Sequence, residues 1–237
     1  MLLRVTEPLG ILMLDTRFDR PPGDIGCPDT YDGPVLFQRV DGATPERVVR
    51  KDARGLLDAF VEGARALEGR GARAITTSCG FLALHHQTLA SVVNVPMLTS
   101  SLLLTPRLLA SLPRSGRLGV VTFSAASLRP DHFAGVGVTS MDRIDLIGLE
   151  EAPTFHRPIA ENRPGLDVET ARVEVVDVVS RYTSAHPEIA ALLLECTNLP
   201  PYAADIGAAC GLPVWDILSL LRSVVGTALI AVPAYTP

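Results

Sequence analysis

Apolar positions along this chain fall into short runs and helical repeats, which predict strands and helices in alternation. The run "LGILMLD" at 9–15 and the alternating "VLFQRV" at 35–40 predict strands. Between them, residues 19–34 are dense in proline, glycine and aspartate, which predicts a long loop. Apolar residues at helical spacing then predict one amphipathic helix over 45–68.

The rest of the chain continues this alternation. Residues 73–78 predict a strand that ends at Cys79, a helix over about 81–93 follows, and a short strand is expected at 95–99. The second half adds strands at 118–124, 143–149 and 189–195, helices near 127–135 and from 168 onward, and a loop-rich stretch at 150–166. Strands alternating with helices predict a mainly parallel sheet covered on both faces, so the expected fold class is α/β.

An internal repeat relates the two halves of the chain at a shift of 117 positions. The residues that coincide at this shift include three pairs: Cys79 with Cys196, Pro96 with Pro213, and Asn94 with Gly211. Asparagine and glycine are natural residues for the left-handed end of a helix, so both positions are expected to end helices. The sequence of each half therefore predicts a strand that ends at a cysteine, then a helix, then a proline and a second strand. Such self-similarity indicates duplicated structural units.

The duplication predicts two pseudo-symmetric lobes, each a mainly parallel sheet flanked by helices, with the active site between them. The first lobe is expected at 1–105 and the second at 106–210, with the C-terminal segment 211–237 packing back on the first. Ligands of open α/β sheets bind beyond the carboxyl ends of strands, where Cys79 and Cys196 both lie. Each cysteine also precedes a helix, whose N-terminal N–H groups favour a thiolate and attract carboxylates.

Composition narrows the class of partner. The net charge is −5 and no run of lysine and arginine occurs, which argues against nucleic acid and anionic membranes. No apolar run approaches the roughly 20 residues that span a bilayer, and the first residues lack the features of a signal peptide. Four cysteines in 237 residues are too few for a disulfide framework, so a reducing cytoplasm is expected. The histidines and cysteines show no zinc-ligand spacing.

The segments "TTSCGF" around Cys79, "LECTNLP" around Cys196 and the leading "GILMLDT" resemble the aspartate/glutamate racemase superfamily, over roughly residues 9–220. That superfamily includes amino-acid and hydantoin racemases, maleate isomerase and arylmalonate decarboxylase. The resemblance implies two pseudo-symmetric lobes, no metal, no pyridoxal phosphate or other cofactor, and a homo-oligomer, taken as a dimer. It also implies that two cysteines act as acid and base at a carbon next to a carboxylate or carbonyl.

The resemblance further implies the residues of the site. Cys79 and Cys196 match the two catalytic cysteines of the superfamily. Thr197 matches the residue whose backbone and hydroxyl help to hold the substrate carboxylate. Gly80 occupies the corresponding place after the first cysteine, without a side chain to contribute.

Four more positions carry weaker expectations of substrate binding. Asp15 and Thr16 match an Asp-Ser pair of glutamate racemases, and Ser124 is the repeat mate of Asp15 at a shift of 109. Asn198 stands where glutamate-type enzymes have histidine, and asparagine cannot transfer a proton, so glutamate is a poor substrate candidate. Two alternatives stay open: Asp15 caps a turn at a strand end, and Asn198 caps the following helix.

The expected function is therefore a cofactor-independent racemase or epimerase of a small carboxylate or cyclic amide, of the amino-acid or hydantoin type. A proton would pass between Cys79 and Cys196. The alternatives are a maleate-type cis–trans isomerase with a nucleophilic cysteine, an arylmalonate-type decarboxylase, which the presence of both cysteines disfavours, and a non-catalytic carboxylate-binding protein. Cys210 is expected at a helix position that faces the protein core. Cys27 is expected to be exposed in its loop, unless that loop covers the cleft.

Overall fold

The computed structural model describes residues 7–232; residues 1–6 and 233–237, which the expected lobes include, lie outside the described part. Its strands are β1 (Leu9–Met13), β2 (Val35–Arg39), β3 (Ala74–Thr77), β4 (Met97–Leu98), β5 (Arg117–Thr122), β6 (Ile144–Gly148), β7 (Ile189–Leu194) and β8 (Val214–Trp215). Its α-helices are α1 (Leu57–Gly69), α2 (His86–Ser91), α3 (Thr105–Ser111), α4 (Pro130–Gly135), α5 (Pro153–Ala160), α6 (Val168–Ala185), α7 (Ala203–Cys210) and α8 (Ile217–Val225). Strands and helices alternate along the chain, as the apolar pattern predicts.

The strands form two parallel four-stranded sheets, in the orders β2-β1-β3-β4 and β6-β5-β7-β8. The inner strands β3 and β7 are buried along nearly their whole length, which explains their continuous apolar runs. Strand β2 lies at the edge of its sheet, where its alternating pattern suits partial exposure. The predicted α/β class and the two-sheet architecture are confirmed.

The hydrogen-bond register of the two sheets repeats at the shifts found in the sequence. Strands β1 and β2 coincide with β5 and β6 at a shift of 109, and strands β3 and β4 coincide with β7 and β8 at 117. The N–H of Ile75 donates to the carbonyl of Pro96 (2.8 Å), and the N–H of Leu192 donates to that of Pro213 (2.9 Å). The internal repeat is therefore a structural duplication.

The helix predicted over 45–68 is broken into two pieces. A π-helical segment at Glu46–Arg50 precedes α1, and the chain between them is irregular. Asp52 adopts a left-handed φ of 55°, which an α-helix does not allow. Long-range contacts hold this break: the Asp52 carboxylate pairs with Arg129 (2.7 Å), and its carbonyl oxygen lies 2.9 Å from Nε2 of His85.

Two more predictions of local structure, one of a helix and one of a loop, are wrong in part. The stretch 81–93 begins as a 3₁₀ helix at Gly80–His85 and only then becomes the short α2. The stretch 150–166, expected as loop, contains α5 with Pro158 inside it. A proline also occupies the first turn of α5, where its missing N–H costs nothing.

The two expected helix ends differ from each other. Gly211 follows α7 with a left-handed φ of 64°, as predicted. Asn94 is not among the described residues with positive φ, so that expectation is wrong. The N–H of Asn94 instead donates to the carboxylate of Glu68 at 2.6 Å, a contact with α1 that the local sequence does not reveal.

The C-terminal segment 211–237 contacts both halves of the molecule. Its strand β8 pairs with β7 in the second sheet, while Ile230 forms an antiparallel bridge with Tyr31 of the first half. The exact lobe boundaries stay a prediction. Among the described helices, none combines the length and the apolar character that crossing a membrane requires.

Candidate active site

Cys79 and Cys196 line one pocket, which residues of both halves enclose. The pocket holds about 360 Å³, its open mouth included, and leaves the two cysteines 8% and 7% exposed. The predicted residues Gly80, Thr197 and Asn198 line the same pocket. The structure therefore brings together five of the eight residues proposed from the sequence.

The two cysteines lie in equivalent turns at the ends of β3 and β7. Each cysteine carbonyl accepts a hydrogen bond at 3.1 Å from the N–H three residues later. The N–H of Phe81 hydrogen-bonds to Cys79, and the N–H of Asn198 does the same for Cys196. These amides stabilise negative charge on sulfur, as the strand-to-helix position predicts.

A buried polar network supports the second cysteine. The thiol of Cys196 donates to Oδ1 of Asn198 (3.5 Å), and Nδ2 of Asn198 donates to Asp24 (2.5 Å). Asp24 forms an ion pair with Arg20 (2.7 Å), in which the two side chains are only 1% and 8% exposed. The Arg20 guanidinium also lies 4.5 Å from the ring centre of Phe18, which lines the pocket. The amide of Asn198 is thus oriented with its oxygen toward sulfur.

Glu195 lies directly behind the pocket wall. Strand alternation predicts that Glu195 points away from the side taken by Cys196, and in the structure it is fully buried against Gly80. Its Oε2 accepts from the Thr122 hydroxyl (2.7 Å), and its Oε1 has no partner among the described residues. A Cβ at position 80 would overlap both this carboxyl and the Glu195 carbonyl oxygen, so the glycine is required by space. Nearby, the Thr197 hydroxyl donates to a backbone carbonyl at 2.8 Å.

The buried groups shift one another's pKa values. Burial raises the pKa of Cys79 to about 12, the charge of Glu195 adds to this, and the Phe81 N–H and Arg20 lower it. Burial and then Glu195 also raise the pKa of Cys196 well above the usual thiol value. Burial also raises the pKa of Glu195 to about 7, against the hydrogen bond that it accepts. A neutral Glu195 therefore removes one obstacle to the ionisation of either thiol.

Three predicted residues do not reach the pocket. The Asp15 carboxylate accepts from the N–H of Gly42 (3.1 Å), which matches the turn-capping alternative. The Thr16 hydroxyl accepts from Arg20 (3.1 Å), and the Ser124 hydroxyl bonds to a nearby serine (3.2 Å). None of the three lines the pocket, so their substrate-binding roles stay predictions without a supporting contact.

Sequence reasoning missed the loop residues Arg20 and Asp24, because the loop that carries them has no periodicity to place its side chains. It also missed Phe123, whose position after the end of β5 could have marked it as a pocket residue. Cys27 is buried, which contradicts its expected exposure. Its loop packs against the second cysteine turn, where the N–H of Ile25 donates to a backbone carbonyl (3.4 Å). In the described part of the chain, no three metal-ligating side chains cluster.

No protein-family model matches the chain. Among curated proteins, it is similar to a dimethylsulfoniopropionate lyase of Durusdinium sp. clade D, at 32% identity over 89% of this chain and 71% of that protein. Dimethylsulfoniopropionate lyases 7 and 6 of Emiliania huxleyi (strain CCMP1516) are 26% and 29% identical over 91% and 92% of this chain. The matches span 65% and 59% of those two longer proteins.

Solved structures establish the fold. An arylmalonate decarboxylase mutant in the liganded form has a TM-score of 0.57 at 15% identity, covering 94% of this chain and 93% of its own. An aspartate racemase homologue from Pyrococcus horikoshii OT3 has a TM-score of 0.55 at 15% identity, covering 94% and 99%. A glutamate racemase from Bacillus anthracis has a TM-score of 0.57 at 13% identity, covering 93% and 83%. The fold is therefore that of the aspartate/glutamate racemase superfamily.

The comparisons correct the expected activity. The curated relatives that match about nine-tenths of this chain are lyases, so the expectation of a racemase or epimerase, and of an isomerase in general, is wrong. One fold supports several reactions, so the paired cysteines that suggested racemisation do not by themselves determine the reaction. Specific side chains around Cys79 and Cys196, rather than the pair itself, must decide the chemistry.

Proposed function

Because the chain belongs to the dimethylsulfoniopropionate lyase family, we propose that it cleaves dimethylsulfoniopropionate into dimethyl sulfide and acrylate. This substrate carries a sulfonium cation at one end and a carboxylate at the other. A base removes a proton from the carbon next to the carboxylate, and the electron pair left behind forms a double bond to the next carbon. The carbon–sulfur bond then breaks, and its electrons leave with sulfur as neutral dimethyl sulfide.

The lining of the pocket suits a ligand with these two ends. One part is aromatic, with Phe18, Phe81 and Phe123, and aromatic faces attract organic cations such as a dimethylsulfonium group. Another part is polar, with Ser78 and the two cysteine turns. The Ser78 hydroxyl accepts from a backbone N–H at 2.9 Å. The amide donors of the two cysteine turns stabilise the negative charge that develops during proton removal.

Cys79 is the base in this proposal. The Cys79 sulfur accepts a hydrogen bond from the N–H of Phe81, and the positive charge of Arg20 lies nearby. Both effects favour the thiolate. The proton of Cys196, in contrast, is directed at Asn198. A neutral thiol at Cys196 tolerates the substrate carboxylate, whereas a second thiolate would repel it. This asymmetry between two cysteines of one pocket is the observation that supports elimination.

The test is to incubate the purified protein with dimethylsulfoniopropionate and to measure dimethyl sulfide by gas chromatography and acrylate by NMR. Equal amounts of both products, lost in Cys79→Ser, are the expected result. Cys210→Ser is the matched control, since Cys210 lies beside Ser180 and outside the pocket lining. Absence of acrylate, or formation of a hydroxypropionate by substitution, would contradict the proposal. The proposed substrate is a small carboxylate, as the sequence predicted. The homo-oligomeric state, taken as a dimer, and the cytoplasmic location stay predictions.

A further inference from the structure

Glu195 is a buried acid that the elimination described above does not use. Its side chain is fully buried and lies behind the pocket wall, since it immediately precedes Cys196 and packs on Gly80, the residue after Cys79. Among the described residues, only the Thr122 hydroxyl forms a hydrogen bond with the carboxyl, at 2.7 Å on Oε2. Its Oε1 is one of the few buried side-chain atoms in the described part without a partner.

These surroundings favour the neutral form of Glu195. A buried carboxylate needs a cation or several donors to offset the loss of water, and this one has a single hydroxyl. Burial accordingly raises the pKa of Glu195 to about 7. Its repeat mate, at a shift of 117, is Ser78, which carries an uncharged hydroxyl at the equivalent place. Both cysteine turns are therefore preceded by a side chain that is neutral below this pKa.

The charge state of Glu195 reaches both thiols. When ionised, Glu195 raises the pKa of Cys79 and of Cys196, since like charges disfavour each other. The other charged groups that act on the two thiols, among the described residues, are Arg20, which lowers the pKa of Cys79, and an ionised Cys79 and Asp24, which raise that of Cys196. Thr122, on β5, contributes a hydroxyl and no charge. Glu195 is thus the titrating group whose charge opposes a thiolate at either cysteine.

We propose that Glu195 is a positioning residue that works as a neutral acid, and that its ionisation suppresses the Cys79 thiolate. The role of that thiolate as a base rests on the proposed lyase function. The coupling itself does not, because it can be measured on the thiols without any substrate. On this view, Gly80 is the residue that makes room for the acid next to the first cysteine.

The main experiment is the pH dependence of iodoacetamide alkylation, followed for Cys79 by peptide mass spectrometry. In Glu195→Gln, which keeps the shape and removes the charge, the titration midpoint of Cys79 should fall by about one pH unit, a tenfold gain in thiolate. Asp216→Asn is the matched control, because it neutralises another buried carboxyl, at the N-terminus of α8 and outside the pocket lining. An unchanged midpoint in Glu195→Gln, or an equal shift in the control, would overturn the proposal.

A second pair of measurements keeps the proposal testable if the glutamine variant folds poorly. Thr122→Val removes the hydrogen bond that stabilises the Glu195 carboxylate, so it should raise the pKa of Glu195. The pH at which Glu195 begins to suppress the Cys79 thiolate should then be higher than in the wild-type protein.

The second measurement is the stability of the protein as a function of pH. A neutral buried Glu195 releases its proton on unfolding above pH 4.5, so unfolding becomes easier as pH rises from 4.5 to about 7. That fall is expected in the urea unfolding midpoint of the wild-type protein, and in Thr122→Val it should extend to higher pH. Its absence would show that the acid is already ionised in the folded protein and would refute the inference.

Discussion

The two cysteine turns of this molecule have the same backbone and different surroundings. Cys79 and Cys196 follow equivalent strands, their carbonyls accept equivalent hydrogen bonds, and each is followed two residues later by an N–H that stabilises its thiolate. The side chains that differ between the turns form three repeat pairs: Ser78 with Glu195, Gly80 with Thr197, and Phe81 with Asn198. Duplication therefore supplied the geometry, and later differences made the two sulfurs chemically distinct.

This comparison shows why paired cysteines do not by themselves indicate racemisation. A two-base racemase must let its cysteines exchange the roles of acid and base, so their environments should be similar. An elimination needs one base and no return of the proton to carbon. The thiol of Cys196 donates to Asn198, whereas Cys79 has the positive charge of Arg20 nearby, so the surroundings of the two sulfurs are not interchangeable.

The largest expected effect comes from removing the two sulfurs one at a time. Cys79→Ala removes the proposed base, which should lower kcat/KM for release of dimethyl sulfide by about 10²–10⁴-fold. Cys196→Ala leaves that base in place and should cost much less. Both variants are compared by initial rates of dimethyl sulfide formation. Equal losses would mean that the cysteines share the chemistry, and a larger loss at Cys196 would reverse the assignment.

A smaller effect is expected on stability at the residues that follow the cysteines. Gly80→Ala places a Cβ against the Glu195 carboxyl and carbonyl, and overpacking of this kind lowers the free energy of unfolding by about 1–3 kcal/mol. At the equivalent place in the other turn, Thr197→Val removes only the hydroxyl that donates to the backbone carbonyl of Ser78. This should lower the free energy of unfolding by about 1 kcal/mol. Urea unfolding of the two variants measures the difference. If alanine at position 80 were tolerated better than valine at 197, the proposed crowding behind Cys79 would be wrong.

The sequence predicted the positions of the strands along the chain well, because each buried strand is a short apolar run. The shift of 117 found from Cys79 and Cys196 is also the shift of the sheet register. The helix over 45–68 was mispredicted because its break depends on contacts with distant residues, such as the pairing of Asp52 with Arg129. A local pattern contains no information about such contacts.

The site was predictable only in part, for a related reason. Positions next to the cysteines, such as Gly80 and Asn198, entered the pocket as expected because the strand ends fix them. Arg20 and Asp24 reach the second turn from an irregular loop, so their contacts arise only from the folded arrangement. The reaction class was mispredicted, because a pair of cysteines does not by itself distinguish a racemase from a lyase.

The smallest expected effect tests the contact that distinguishes the second turn most directly. Asn198→Ala removes the amide oxygen that accepts the Cys196 thiol proton, while the backbone N–H that favours the thiolate remains. Since the lost hydrogen bond stabilises only the thiol form, and such a bond contributes about 0.5–1.5 kcal/mol, alkylation of Cys196 by iodoacetamide should become about two- to tenfold faster. Cys79 serves as the internal control in the same peptide analysis, because the side-chain hydrogen bonds of Asn198 in the described structure go to Cys196 and Asp24. If both cysteines accelerated together, the change would reflect opening of the pocket, and the asymmetry between the two sulfurs would have to come from Arg20 and Asp24 instead.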